Sequence, residues 1–182
     1  MIRKRINTET AIQEAAFEVF GKNPGASLAE VAKLAGVGRA TLHRHFAGRD
    51  ELIGALAQVA MDELDAAVEE VVKDAQSYTE GLRFALEAIL PLASRQMFLA
   101  TEAAAHTGEI ADRLKSDFAE LVKDVTKAQA EGGLRQDIPA EWIARAYENL
   151  IYAGWEMVQN EEATPKQAAG FAWSMLAEGA KP

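Results

Sequence analysis

The sequence predicts an all-α protein. Three observations point there: apolar residues recur at helical spacing from end to end, no run of β-branched residues alternates with polar ones, and capping residues and glycines punctuate the chain at helix-length intervals. With 182 residues, 49% of them apolar and 26% charged, the chain has room for one domain and a small appendage and a core that needs no staples. Disordered and fibrous classes are excluded. The absence of cysteine removes disulfides, thiolate metal sites and thiol nucleophiles. No apolar run reaches the ~18 residues of a membrane span, and the basic start Met1-Ile2-Arg3-Lys4-Arg5 is followed by no apolar stretch, so the expectation is a cytoplasmic protein without a membrane partner.

The first helix is expected from Thr8 to Phe20, with Ile12, Ala16, Val19 and Phe20 on one face, Asn7 or Thr8 as cap and Gly21 as stop. Asn23-Pro24-Gly25 forces a turn. Ser27-Leu28-Ala29-Glu30 has the capping-box spacing, in which hydroxyl and carboxylate satisfy orphan N–H groups reciprocally. The helix it opens is short, because Gly36 follows Ala35 and offers the positive φ of a sharp inter-helix turn. A third short helix spans about Arg39 to His45. From Gly48 the apolar series Ile53, Leu56, Ala60, Leu64, Ala67, Val71 marks one long helix to about Asp74, whose N-terminal dipole Asp50 and Glu51 complement. Ser77-Tyr78-Thr79-Glu80 reads as a second capping box, and its helix must end or kink at Pro91. Further helices are expected over Leu92 to Ala105, over Glu109 to Glu131 with Ile110, Leu114, Phe118, Leu121, Val122 and Val125 inward, over Pro139 to Gln159, and from Thr164-Pro165 to near Glu178.

The formal net charge of −9 conceals a split: residues 1–50 hold 8 Lys and Arg against 5 Asp and Glu, a net of +3, and residues 51–182 hold 11 against 23, a net of −12. A basic head can neutralise phosphates, while an acidic remainder is repelled by a polyanion and confines binding to one face. Two short helices joined by a tight glycine turn are the arrangement that lays a second helix in the major groove of DNA. At about 100° per residue, Leu42 and Phe46 share the buried face of that helix, and Ala40, Thr41 and Arg44 point away from it. Arg39, in the first turn, reaches forward. Arg39 and Arg44 suit bidentate contacts to guanine, and the Ala40 methyl suits a thymine methyl, so these three are the candidate base contacts. Ser27, Thr41, His43, His45, Arg49 and the N–H groups at the start of the fourth helix are the candidate phosphate contacts. Arg3, Lys4 and Arg5 form an arm that screens phosphates or enters the minor groove.

The segments Leu28-Ala29-Glu30-Val31-Ala32, Ala35 through Phe46, and Arg49-Asp50-Glu51-Leu52 together resemble the DNA-binding segment of the TetR (tetracycline-repressor) family of transcriptional regulators, over about residues 8 to 60. The resemblance implies a homodimer on a pseudo-palindromic operator and a three-helix helix-turn-helix head in residues 1–50. It also implies that a long fourth helix joins the head to a helical domain, residues 51–182, which binds a small-molecule effector and packs on its twin through its last two long helices. A repressor released by that effector is the expected function. Gly132-Gly133-Leu134-Arg135-Gln136-Asp137-Ile138 resembles a linker of the same family. The chain departs from the family pattern at His43, where Tyr is frequent, at Gly38, where Ser is frequent, and at Ala47-Gly48, where Pro-Ser is frequent. Both glycines can cap a helix, but neither supplies a hydroxyl to a phosphate.

Enzymatic readings fail on inventory. His43 and His45 point about 200° apart on a helix and cannot share a metal. His106 is the single histidine beyond residue 45, so a bridged di-iron bundle lacks its ligands. No Gly-x-Ser-x-Gly elbow and no phosphate-binding glycine loop occurs. No cofactor and no metal are expected. The rival class is a helical protein-interaction module, in which Arg39 and Arg44 would form a solvated face. For the effector pocket the candidates are the aromatics Phe98, Phe118, Tyr152 and Trp155, each of which suits core packing better and Trp155 also a dimer face, with Glu102, His106 and Asn149 as polar groups that could converge on a ligand.

Overall fold

The computed structural model describes residues 7–101 and 108–179. The arm Arg3, Lys4, Arg5 and the pair Glu102 and His106 lie outside the described residues. The described elements are α1 (Thr8–Lys22), α2 (Leu28–Leu34), α3 (Arg39–His45), α4 (Arg49–Val72), α5 (Tyr78–Ile89), a 3₁₀ turn (Leu90–Leu92), α6 (Ala93–Thr101), α7 (Gly108–Ala130), α8 (Ala140–Gln159) and α9 (Pro165–Gly179). No strand occurs among the described residues.

Local chemistry explains the boundaries. Helix α1 passes its expected stop at Gly21: the Lys22 ammonium reaches Glu18 one turn back at 2.8 Å, and the chain leaves the helix at Asn23, in extended conformation. The first capping box is complete, with Ser27 N–H donating to the Glu30 carboxylate at 2.7 Å and Glu30 N–H donating to Ser27 Oγ at 3.4 Å. The second is only half made. Glu80 N–H donates to Ser77 Oγ at 3.1 Å, but the Glu80 carboxylate accepts from Gln76 N–H, one residue before the expected partner. The remaining N–H groups of α5 are satisfied from a distance: Tyr78 and Thr79 N–H donate to the Glu131 carboxylate, at the end of α7, at 3.1 and 2.8 Å. The fifth helix ends at Ile89, just before Pro91 as expected, and the proline sits in a single 3₁₀ turn before α6. Pro139 is the N-cap of α8, with ψ of 136°, rather than its first helical residue.

Two apolar cores organise the chain. The first joins α1, α2 and α3 to the first half of α4 through Ile12, Phe20, Val31, Leu42, Phe46, Leu52 and Leu56, and takes in Phe98 and Leu99 of α6. The second holds α5, α8 and α9 on the end of α7 through Leu86, Leu90, Val125, Tyr147, Ile151 and Ala169. Helix α4, 24 residues and so about 36 Å long, runs out of the first core towards the body. Of the six α7 residues expected inward, Val125 alone is fully buried; Leu114, Phe118 and Leu121 are half-buried, each packing on a core while also lining a cavity.

Candidate nucleic-acid interface and effector cavity

Gly36 has φ +69°, so the backbone turns through the left-handed region between α2 and α3 as the sequence requires. Gly38 caps α3 without a side-chain bond. Leu42 and Phe46 are buried, which pins α3 to the first core along one edge. Arg39, Ala40, His43, Arg44 and His45 are all exposed, with Ala40 and Arg44 opposite the buried Leu42 and Arg39 in the first turn. The Arg44 guanidinium donates to Thr41 Oγ1 at 3.0 Å, holding the two side chains together on the outer surface. His45 Nδ1 lies 4.0 Å from the Glu9 carboxylate at the start of α1.

The expected phosphate donors are placed unequally. Ser27 is exposed, but its hydroxyl is engaged by Glu30 at 2.8 Å. Arg49 is turned towards the protein: it donates to Ala26 O at 2.7 Å and to Pro24 O, with its guanidinium 4.2 Å from the centre of the Phe20 ring. It thereby clamps the α1–α2 loop onto the start of α4. Ahead of α4, Ala47 N–H donates to Glu51 at 2.6 Å, so one N–H beside that helix start already has an anionic partner.

In the body, a cavity of about 730 Å³ lies among α4, α5, α6, α7 and α8. Its floor is apolar and buried, made by Met61, Leu64, Leu82, Leu99, Tyr147 and Ile151. The Tyr147 hydroxyl donates to Leu82 O at 2.9 Å, and complete burial pushes its pKa well above the usual value, so it stays neutral. The charged lining is acidic, Asp65 and Glu69 from α4, Asp117, Glu120 and Asp124 from α7, Glu148 from α8, and Glu131, with Gln76, Ser77, Tyr78 and Gln96 as neutral polar neighbours. Burial raises the Asp117 carboxyl, and the like charge of Asp65 raises it further against Arg113. Burial likewise raises Glu148, against the pull of Arg145.

Of the expected pocket residues, Phe118 lines this cavity. Phe98 packs in the first core, edge-on to Phe17 with ring centroids 5.3 Å apart. Asn149 is exposed on α8 and donates to Arg145 O. Tyr152 is exposed, and Trp155 packs on the second core with its indole N–H buried and unpartnered among the described residues. The cavity residues of α4 and α5 carry no pocket signal in sequence: Leu64 falls in the core series of the long helix, and Val68, Val72 and Ala85 fall outside the expected apolar series. The one available signal was the row of carboxylates at Asp117, Glu120 and Asp124, which share a helix face with Leu114, Phe118 and Leu121.

Helix α6 connects the two regions. Gln96 and Leu99 line the cavity, while the neighbouring Arg95 faces the head. The largely buried Arg95 guanidinium donates to Glu14 of α1 and Glu63 of α4, each at 2.8 Å, and lies 3.9 Å from the centre of the Phe17 ring.

An exposed basic helix on a three-helix head, a long connecting helix and a cavity in an all-helical body define a DNA-binding regulator with a ligand-receiving domain. The comparisons agree with that class. Residues 12–56 match the bacterial regulatory proteins of the tetR family. The HTH-type transcriptional repressor LfrR of Mycolicibacterium smegmatis (strain ATCC 700084 / mc(2)155) is 31% identical over 157 residues, covering 86% of this chain and 82% of LfrR. The crystal structure of LfrR from Mycobacterium smegmatis in complex with proflavine superposes with a TM-score of 0.76 at 27% identity, over 96% of this chain and 98% of that one. The ketosteroid regulator KstR2 of Mycobacterium tuberculosis shares the fold with a TM-score of 0.79 at 19% identity, over the whole of both chains. So does AibR, solved with isovaleryl coenzyme A and operator DNA, at 0.79 and 22% over 93% of this chain and 97% of that one. The chain therefore belongs to the TetR family of bacterial regulatory proteins, DNA-binding transcriptional regulators. No described helix is long and apolar enough to cross a membrane.

Proposed function

We propose that the chain is a repressor that binds a pseudo-palindromic operator as a homodimer, with residues 1–50 as the reading head and residues 51–182 as the ligand-binding and dimerising body. The observation that carries the reading is the exposed edge of α3, where Arg39, Ala40 and Arg44 project from a helix pinned only by Leu42 and Phe46. These three are assigned to base edges, and Thr41, His43 and His45, with Ser27 where its hydroxyl is shared, to phosphates. Arg49 serves the head better as a clamp than as a phosphate donor, given its two carbonyl partners.

The second copy is assigned to α8 and α9. Trp142 and Met175 are each 69% exposed and Phe171 53%, an amount of apolar surface that argues for a covering partner. Twofold pairing would set the two α3 helices on half-sites one helical turn apart, ~34–36 Å, or a multiple of it.

The effector is assigned to the body cavity. LfrR accepts proflavine, a small molecule, and a cavity of about 730 Å³ suits a ligand of that order. A ligand that displaces Gln96 and Leu99 would move α6, and Arg95 would carry the displacement to α1 and α4. Release of DNA follows only if the ligand binds the displaced arrangement more tightly. The test is binding to the DNA flanking the protein's own coding region against an unrelated duplex, with and without candidate effectors. The reading requires preference for the first duplex, a steep loss with salt, and weakening by an effector; equal affinity for both duplexes contradicts it.

A further inference from the structure

We infer that DNA binding through α3 is coupled to proton uptake by His43 and His45, so that a lower pH tightens the protein's hold on a duplex. This rests on the reading of α3 as the DNA-facing helix and adds a regulation of that same surface. At about 100° per residue, His43 and His45 stand one step before and one step after Arg44, and so about 100° to either side of it. Leu42, on the far side of the helix from Arg44, is buried and fixes that rotation. A helix lying in the major groove with Arg44 on the base edges therefore turns one imidazole towards each of the two phosphate walls. Both histidines are exposed, and an imidazole changes charge near pH ~6.5, inside the range a cell visits.

The neighbours of each ring set the size and sign of the effect. On α3 itself, Arg39 stands one turn before His43, and Arg44 is adjacent to both histidines. From α1, the Glu9 carboxylate lies 4.0 Å from His45 Nδ1 and is the one ion-pair partner of either ring among the described residues. From α2, Glu30 is engaged by Ser27 and Lys33 is exposed. From α4 and the turn before it, Glu51 accepts from Ala47 N–H, Arg49 donates to the Ala26 and Pro24 carbonyls, and Asp50 is exposed. A neutral His45 thus leaves the Glu9 carboxylate uncompensated beside a phosphate wall, and a protonated one offsets it. At His43 the proton adds a positive charge beside those of Arg39 and Arg44. A phosphate next to either ring favours the charged imidazole. The complex therefore keeps these protons to a higher pH than the free protein. The gain in affinity is fully present below the free-state value and is lost as the pH rises through the value in the complex.

The test is fluorescence anisotropy of the full chain on two labelled duplexes, one selected by the chain from a random pool and one of unrelated sequence, from pH 8 to pH 6 at constant ionic strength. Affinity for both should rise by about tenfold or more as the pH falls, because phosphates flank α3 on either duplex. His43→Gln and His45→Gln keep a hydrogen-bond donor and lose the titration, so each should lessen the rise. The double variant should hold it within about twofold while binding at pH 8 within about threefold of the parent chain. Calorimetry at pH 7 in phosphate and in Tris buffer, whose ionisation enthalpies differ, should show proton uptake on binding by the parent chain and none by the double variant, a readout that a purely structural role of the histidines would not move. Circular dichroism at pH 6 confirms that each chain is folded. A flat profile in the parent chain, or a slope and proton uptake undiminished in the double variant, would overturn the inference. Preference for the selected duplex with a flat profile removes only the proton coupling, and a slope on both duplexes without preference for either removes only the sequence-reading function.

Discussion

Single residues fix the geometry at three points. Gly133 approaches α5 so closely that a Cβ built on it would stand 1.8 Å from Thr79 Oγ1 and 2.9 Å from Thr79 Cβ. Gly133→Ala should therefore destabilise the fold by about 1–3 kcal/mol, the usual cost of overpacking, as read by urea unfolding. Beside it, Glu131 is held below the usual carboxylate range, chiefly by the N–H of Thr79 and, against the opposing effect of burial, also by the N–H of Tyr78 and the Thr79 hydroxyl. A depressed folded-state pKa contributes stability that is fully present above the unfolded value of about 4.3 and is lost as the pH falls through the folded value. The thermal midpoint should thus drop between about pH 5 and pH 3 less steeply in Glu131→Gln than in the parent chain. Both contacts join positions about fifty residues apart, so no local pattern announces them; the sequence offered only a pair of glycines and a capping motif that proved half made.

At the scale of elements, the head was readable because its helices are short and each ends on a residue with one physical role. Ser27 and Glu30 start α2, Gly36 turns the chain, Gly38 starts α3, and Leu42 and Phe46 orient it. The body was less readable. Its helices follow from periodicity, but which apolar positions face a cavity depends on how five helices diverge, and Phe118 and Phe98 have the same signature in sequence while one lines the cavity and the other packs on Phe17. Helix α6 is the element whose loss should separate the two functions. Arg95→Ala removes the bonds to Glu14 and Glu63 and the contact with Phe17, leaving two partly exposed carboxylates. The expected outcome is a fold weakened by about 1–3 kcal/mol and a smaller effect of the effector on operator affinity, with effector binding itself retained. Calorimetry of the ligand and anisotropy of labelled DNA on one preparation measure both. An effector response of full size in this variant would show that α6 does not carry the signal through Arg95.

The whole molecule sorts its charge and its apolar surface by task. Net positive charge falls in residues 1–50 and net negative charge in the remainder, so a polyanion is attracted at one end and repelled elsewhere. The exposed Trp142, Phe171 and Met175 lie on the two helices assigned to pairing. Phe171→Glu combined with Met175→Glu should convert a dimer into a monomer in sedimentation velocity and, by removing the second head, weaken operator binding by orders of magnitude, whereas an unaltered sedimentation coefficient would place the dimer surface elsewhere. The central claim is that Arg44 on α3 reads a base. The most direct measurement is the affinity of the parent chain and of Arg44→Ala for operator and for unrelated duplex across a salt series. The account predicts a loss of about 1–3 kcal/mol on the operator, little loss on the unrelated duplex, and a salt slope nearly unchanged. Equal losses on both duplexes with a reduced slope would make Arg44 a phosphate contact and contradict the assignment.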